Sequence, residues 1–264
     1  MSPFAPILKP GARLGEEVVL LKVGPRGTRF MIHKQLICAS APFFEKAFQP
    51  GAFKEGIEGT LHLPEDHPGA LGIFIEWIYL AKIPNGHSQS YVDALYYLWF
   101  FIQKLCMPTM TLKDTVMDKI QDIANIYSLE PNPAMMKLVF AQTPVDSALR
   151  LYCVEVIAHS VLVKSVIKRA DEENQDFEAA ERWRQALDKE VNLVYEMVNG
   201  HQDIFRCLFY EAIGYANTSS LSDPRARYRE GTQHMETRCR YHEHGAGVVC
   251  HLFDEKQPAF IRDV

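Results

Sequence analysis

The sequence predicts an α+β protein: a small sheet near the N-terminus capped by helices, then an all-helical extension. Three observations predict it. A run rich in β-branched residues, Glu17-Val18-Val19-Leu20-Leu21-Lys22-Val23-Gly24, is separated from Thr28–Ile32 by Gly24-Pro25-Arg26-Gly27, the pattern of a β-hairpin. Thr60-Leu61-His62-Leu63 reads as a short third strand. The apolar segments that follow have helical spacing.

Residues 1–15, punctuated by Pro and Gly, read as a mobile arm. The strand TRFMI runs into a short helix, HKQLICAS; a Ser-Ala-Pro break follows, then a second short helix, PFFEKAF. Phe53-Lys54-Glu55 falls in the loop before the third strand. Pro64-Glu65-Asp66 is expected to supply the turn and N-terminal chemistry for a helix over 68–81. In it Leu71, Phe74, Ile75, Ile78 and Tyr79 make one apolar face, widened by Trp77. Residues 85–90 form a polar loop, and Tyr91 to Leu105 a helix. Its core, LYYLWFFI, is shorter than the roughly 18 apolar residues that span a bilayer, so a buried helix is expected.

Leu112 to Leu129 reads as a helix with Val116, Ile120, Ile123 and Tyr127 on one side. Glu130-Pro131-Asn132-Pro133 stops it and closes an N-terminal domain over 16–129. A helical extension occupies 130–216. It holds helices over 133–141 and 147–168, the latter with Leu151, Val154, Ile157, Ala158, Val161 and Leu162 in register. A charged stretch, 169–184, reads as a solvated helix or loop. Glu190 to Asn199 is apolar-periodic again, and Ile204 to Ala216 is a last helix. Residues 217–264 are a linker and a Cys/His-rich tail. No period of roughly 20–50 residues recurs, which excludes repeat arrays.

Formal net charge is −5, against a nucleic-acid or anionic-membrane partner recruited by charge alone. The one basic run is RARYRE, from Arg225. The first residues lack a basic-then-apolar signal pattern, so a cytoplasmic or nuclear place and reduced thiols are expected for the six cysteines. Cys38, Cys106, Cys153 and Cys207 sit in apolar surroundings and read as buried free thiols. Catalytic constellations are missing: there is no Gly-x-Ser-x-Gly, Gly-x-x-x-x-Gly-Lys or His-Glu-x-x-His. His33 has no nucleophile or orienting group beside it in sequence and reads as a partly buried residue held by hydrogen bonds at a helix start. The chain does not read as an enzyme.

The order of these segments, Phe30-Met31-Ile32-His33-Lys34 through Cys38-Ala39-Ser40-Ala41-Pro42-Phe43-Phe44, then Phe-Lys-Glu, Leu-Pro-Glu-Asp and the helix PGALGIFIEWIYLAKI, resembles a BTB/POZ domain of the fungal type. The resemblance implies the BTB/POZ fold, a scaffold or adaptor function through protein–protein contacts, and self-association. Its sharper form is a substrate adaptor of a cullin-type ubiquitin ligase. Cullin-binding relatives carry a hydrophobic-x-acidic motif before the third strand, and Phe53 and Glu55 occupy that place. Phe53 is then either a small binding anchor or a cover for the domain's own core. One departure is Glu16-Glu17-Val18, where many such domains have an Asp-Val pair feeding a charged pocket.

The tail offers a second candidate. Cys239-Arg240-Tyr241-His242-Glu243-His244 is followed by Cys250-His251. Thiolate and imidazole are the donors a tetrahedral structural Zn²⁺ takes, so Cys239, His242, His244 and Cys250 are candidate ligands. Their spacing differs from a standard finger. With the arginines near Arg225, this tail frames the alternative reading, a nuclear regulator with a small zinc module.

Overall fold

The computed structural model describes residues 14–51, 53–107, 111–173, 177–216, 223–226, 240–243 and 250. Chain contacts divide the protein into two compact units, residues 1–116 with 244–264, and residues 117–243.

In the first unit, β1 (Val18–Val23) is the central strand of a three-stranded sheet ordered β2-β1-β3. It pairs antiparallel with β2 (Thr28–His33) and parallel with β3 (Thr60–Leu63). Gly24 and Gly27 both take positive φ (73° and 62°), closed by a 2.9 Å bond from the Gly27 N–H to the Gly24 carbonyl. That geometry is why glycine brackets this turn. Alternation then sorts the strand. Val19, Leu21 and Val23 of β1, Ile32 of β2, and Leu61 and Leu63 of β3 are buried. Met31, Leu20 and Thr60 form one row across the opposite face.

A parallel β1–β3 pair requires a crossover. Here it is made by α1 (Lys34–Ser40), α2 (Pro42–Ala47) and α3 (Lys54–Glu58). The expected break at Ser40-Ala41-Pro42 places Ala41 in extended backbone between α1 and α2, with Pro42 at the first helical position. α4 (Pro68–Leu80) and α5 (Gln89–Lys104) pack on each other. α5 buries Val92, Ala94, Leu95, Tyr96, Leu98, Trp99, Phe101 and Ile102, most of its circumference. The apolar run over 95–102 is therefore a core helix, and Ser88 caps it by accepting the Tyr91 N–H at 3.2 Å. Phe44, Phe74 and Phe101 form an aromatic cluster, with Phe74 and Phe101 edge-on at 5.7 Å.

Several local expectations are corrected. Phe53-Lys54-Glu55 lies not in an open loop but at the start of α3. α4 is capped not by Glu65 or Asp66 but by His67, whose Nδ1 accepts the Ala70 N–H at 3.3 Å while its ring stacks on Tyr97 at 4.5 Å. Burial holds that imidazole's pKa below its ordinary value, which favours the neutral ring an acceptor nitrogen needs. Asp66 instead pairs with Lys104 at 2.6 Å. The buried face of α4 is Ala70, Leu71, Ile73 and Phe74; Tyr79 is exposed. Cys106 is exposed with φ 52°, because it lies in the turn after α5 rather than inside the helix.

α6 (Thr111–Tyr127) carries the chain into the second unit. Ile120, Ile123 and Ala124 are buried there, whereas Tyr127 at the helix end is exposed. α7 (Pro133–Gln142), α8 (Ala148–Glu173), α9 (Phe177–Val198) and α10 (Gln202–Ala216) follow. α8 packs against α7, α9 and α10, and its residues 152–160 are buried all round rather than along one stripe. The charged stretch falls largely within α8 and α9. Arg150 is a structural clasp, donating to the carbonyls of Phe140 and Thr143 and to the Thr143 hydroxyl at 2.8 Å.

Phe44 has no exposed surface and touches two other rings of the cluster, so Phe44→Ala is expected to cost about 3–5 kcal/mol through lost burial and a cavity. Urea unfolding of the full chain measures this. Met31→Ala, on the open sheet face, is expected to change stability by no more than about 0.5 kcal/mol.

Candidate protein-interaction surface

Phe53 is the N-cap residue of α3, in extended backbone. Its side chain makes no capping bond, so packing and solvent decide where it goes. It is 57% exposed. Ile57, one turn along, is 78% exposed. Residues i and i+4 share a helix face, so the two make a short apolar strip. Glu55 falls between them in sequence and is half-buried, and Lys54 and Glu58 form an ion pair at 3.4 Å. Phe53 therefore does not cover the domain's own core.

The strip is held in place at both ends. Gly56 lies so close to the end of α2 that an added Cβ would stand 2.3 Å from the Gln49 carbonyl oxygen. No side chain fits there without moving backbone. At the other end Gly59, with φ 61°, caps α3 by donating to the Glu55 carbonyl at 2.9 Å. The Gly59 carbonyl in turn accepts the Leu20 N–H of β1 at 2.8 Å. A five-residue helix has little stability of its own. Here α2 and the central strand clamp it.

His33 sits where a helix start was expected. Its Nδ1 lies 2.6 Å from the Tyr79 hydroxyl, which also accepts the His33 backbone N–H at 3.2 Å. This pair ties the β2–α1 junction to the end of α4, a structural use. Glu17 pairs with Lys34 at 3.0 Å beside a depression lined by Gly15, Glu16, Gln35 and Cys38. Burial, the largest influence, raises the Cys38 thiol's pKa, which keeps it protonated and unreactive.

Residues 18–118 match the BTB/POZ domain family. They carry a BTB/POZ domain. No curated protein and no solved structure matches the chain. The domain is a protein–protein interaction module, and the match spans all three strands and α1 to α5.

Of the tail candidates, His242 places Nε2 2.9 Å from Asp118 Oδ1, and Cys250 is buried. Cys239 and His244 lie outside the described residues, as does most of the 1–15 arm. Among the described residues no three His, Cys, Asp or Glu side chains are grouped to hold a metal ion. Arg225, first of the basic run, is half-buried and paired with Asp223 at 2.8 Å.

Sequence reasoning missed Ile57, although its spacing from Phe53 was the available signal. It also missed the polar contacts of residues 240–243, which no spacing rule reveals. Phe53→Ala is expected to leave unfolding free energy within about 0.5 kcal/mol of the parent, as for surface positions. Gly56→Ala is expected to destabilise the domain by more than about 1 kcal/mol, since overpacking against backbone strains the fold. Paired denaturation curves compare the two.

Proposed function

We propose that this protein is an interaction scaffold or adaptor whose BTB/POZ domain engages a cullin-type partner through α3. The observation that carries the reading is the exposed Phe53–Ile57 strip on a helix set against the Gln49 backbone and bonded at its end to the central strand. Apolar anchors beside one acid group suit a small binding hot spot, and a preformed helix loses little freedom on docking.

Self-association through the same domain is part of the proposal. The first helix offers half-buried Leu36 for it, with Ile37 wholly buried behind. Val18 and Met31 are exposed on the open sheet face beside it. Substrate recruitment would fall to the helical extension, where Phe205, Phe209, Tyr210 and Ile213 are exposed along α10.

Affinity capture with mass spectrometry identifies the partner, and calorimetry on folded variants locates its site. Phe53→Ala and Glu55→Lys are each expected to weaken cullin binding by about 1–3 kcal/mol, the range for interface anchors. Unchanged affinity in both would remove α3 from the interface. For self-association, light scattering at micromolar concentration is expected to give a dimer that Met31→Lys shifts toward monomer. A strictly monomeric parent mass would count against that part of the proposal.

A further inference from the structure

Residues Arg240–Glu243 lie against the second unit as a short strap, and each of the four side chains finds a partner there. The Arg240 guanidinium pairs with the Glu155 carboxylate, its Nε 3.0 and 3.1 Å from the two oxygens. The Tyr241 hydroxyl donates to the same carboxylate, and its ring stands edge-on to Tyr152 at 5.2 Å. His242 meets Asp118 of α6 at 2.9 Å. Glu243 accepts from the Ser147 hydroxyl at 3.4 Å. The strap runs against the direction of α8, from Glu155 back toward Ser147.

The two sides of this contact differ in kind. The Glu155 side chain is 3% exposed, whereas Arg240, its cation, is 54% exposed. Asp118 is buried as well. The receptor side, two carboxylates and an aromatic floor, is built into α6 and α8. The ligand side comes from residues 85 to 124 positions further along the chain. Burying a carboxylate without a cation is costly, so the two carboxylates favour an occupant that brings a cation and hydrogen-bond donors. Release of the strap is then linked to capture of an equivalent segment.

We propose that the α6–α8 groove is a recognition site for an Arg-Tyr-His segment, filled in cis by the chain's own tail and open to the same segment of a second copy. Its chemistry selects a bidentate cation, an aromatic hydroxyl and an imidazole in consecutive positions. The second copy is the partner it fits, because that copy carries the same three residues in the same order. Exchange of tails would join two copies through their helical units, independently of the BTB/POZ domain and of α3.

The test uses a fluorescent synthetic peptide spanning residues 237–246 and the full-length chain carrying Arg240→Ala and Tyr241→Ala, which vacates the groove. Saturable binding by anisotropy is expected, at least about tenfold weaker on the wild-type chain, whose groove is occupied, in keeping with the reduced apparent affinity of a largely unavailable site. Adding Glu155→Gln to the vacated chain is expected to weaken binding about a hundredfold or more, the consequence of removing one partner from a buried ion pair. No binding to the folded, vacated chain would overturn the proposal, as would binding that Glu155→Gln leaves unchanged. Should the vacated chain not fold, hydrogen exchange on the wild-type protein decides. Excess peptide is expected to expose residues 240–243 of the chain, a peptide with Ala at the Arg240 and Tyr241 positions is not, and unaltered protection with the native peptide would refute the exchange.

Discussion

Much of the first unit depends on β1 being paired on both sides. An antiparallel partner can follow through a tight turn, and β2 does. A parallel partner on the other side cannot: β2 returns the chain to the end where β1 begins, but on the far side of β1 from β3. Residues between β2 and β3 therefore have to cross over, and they do so as three short helices. α3 is the last of them, and the Leu20–Gly59 hydrogen bond fastens its end to the central strand. The exposed strip of Phe53 and Ile57 exists in that position because of how the sheet is connected.

Burial and hydrogen bonding then divide the work between the two units. In the first, the sheet's inner face and a nearly all-round apolar α5 enclose an aromatic cluster. Polar groups act at its margins: His67 caps α4, and His33 with Tyr79 ties two elements together. In the second, residues 152–160 of α8 are buried all round, so their polar groups must find partners inside. Glu155 does so with Arg240 and Tyr241, and Ser160 with Glu130 at 2.6 Å. Arg240 is held more strongly protonated than usual, above all by its hydrogen bonds to Glu155.

The two proposed surfaces differ in the same way. On α3 the exposed groups are apolar and the helix is clamped from behind, a geometry suited to a partner with an apolar pocket. In the second unit the groove is charged at its floor and already occupied. The first surface offers area, and the second offers specific polar recognition.

Local chemistry was legible wherever it acts over a few residues. The Gly24–Gly27 turn, the alternation in β1, the Ser-Ala-Pro break and the apolar run of α5 each carry their structural instruction within one or two turns of chain. Helix boundaries in the first unit shifted little for that reason, whereas α9 begins at Phe177, inside the charged stretch, rather than at Glu190, and α8 runs on to Glu173. What the sequence could not rank were competing local signals. Glu65 and Asp66 looked like caps, but Lys104, distant in sequence, takes Asp66 and leaves His67 to cap α4. Phe53 could have been core or surface, and its outward placement follows from Gly56 lying against the Gln49 carbonyl. The sequence by itself determined the order and type of the elements other than α3, because turn chemistry and hydrophobic period are local properties. Tertiary structure alone decided which side of α3 faces solvent and which carboxylates hold Arg240 and His242, because those choices rest on partners brought together only by folding.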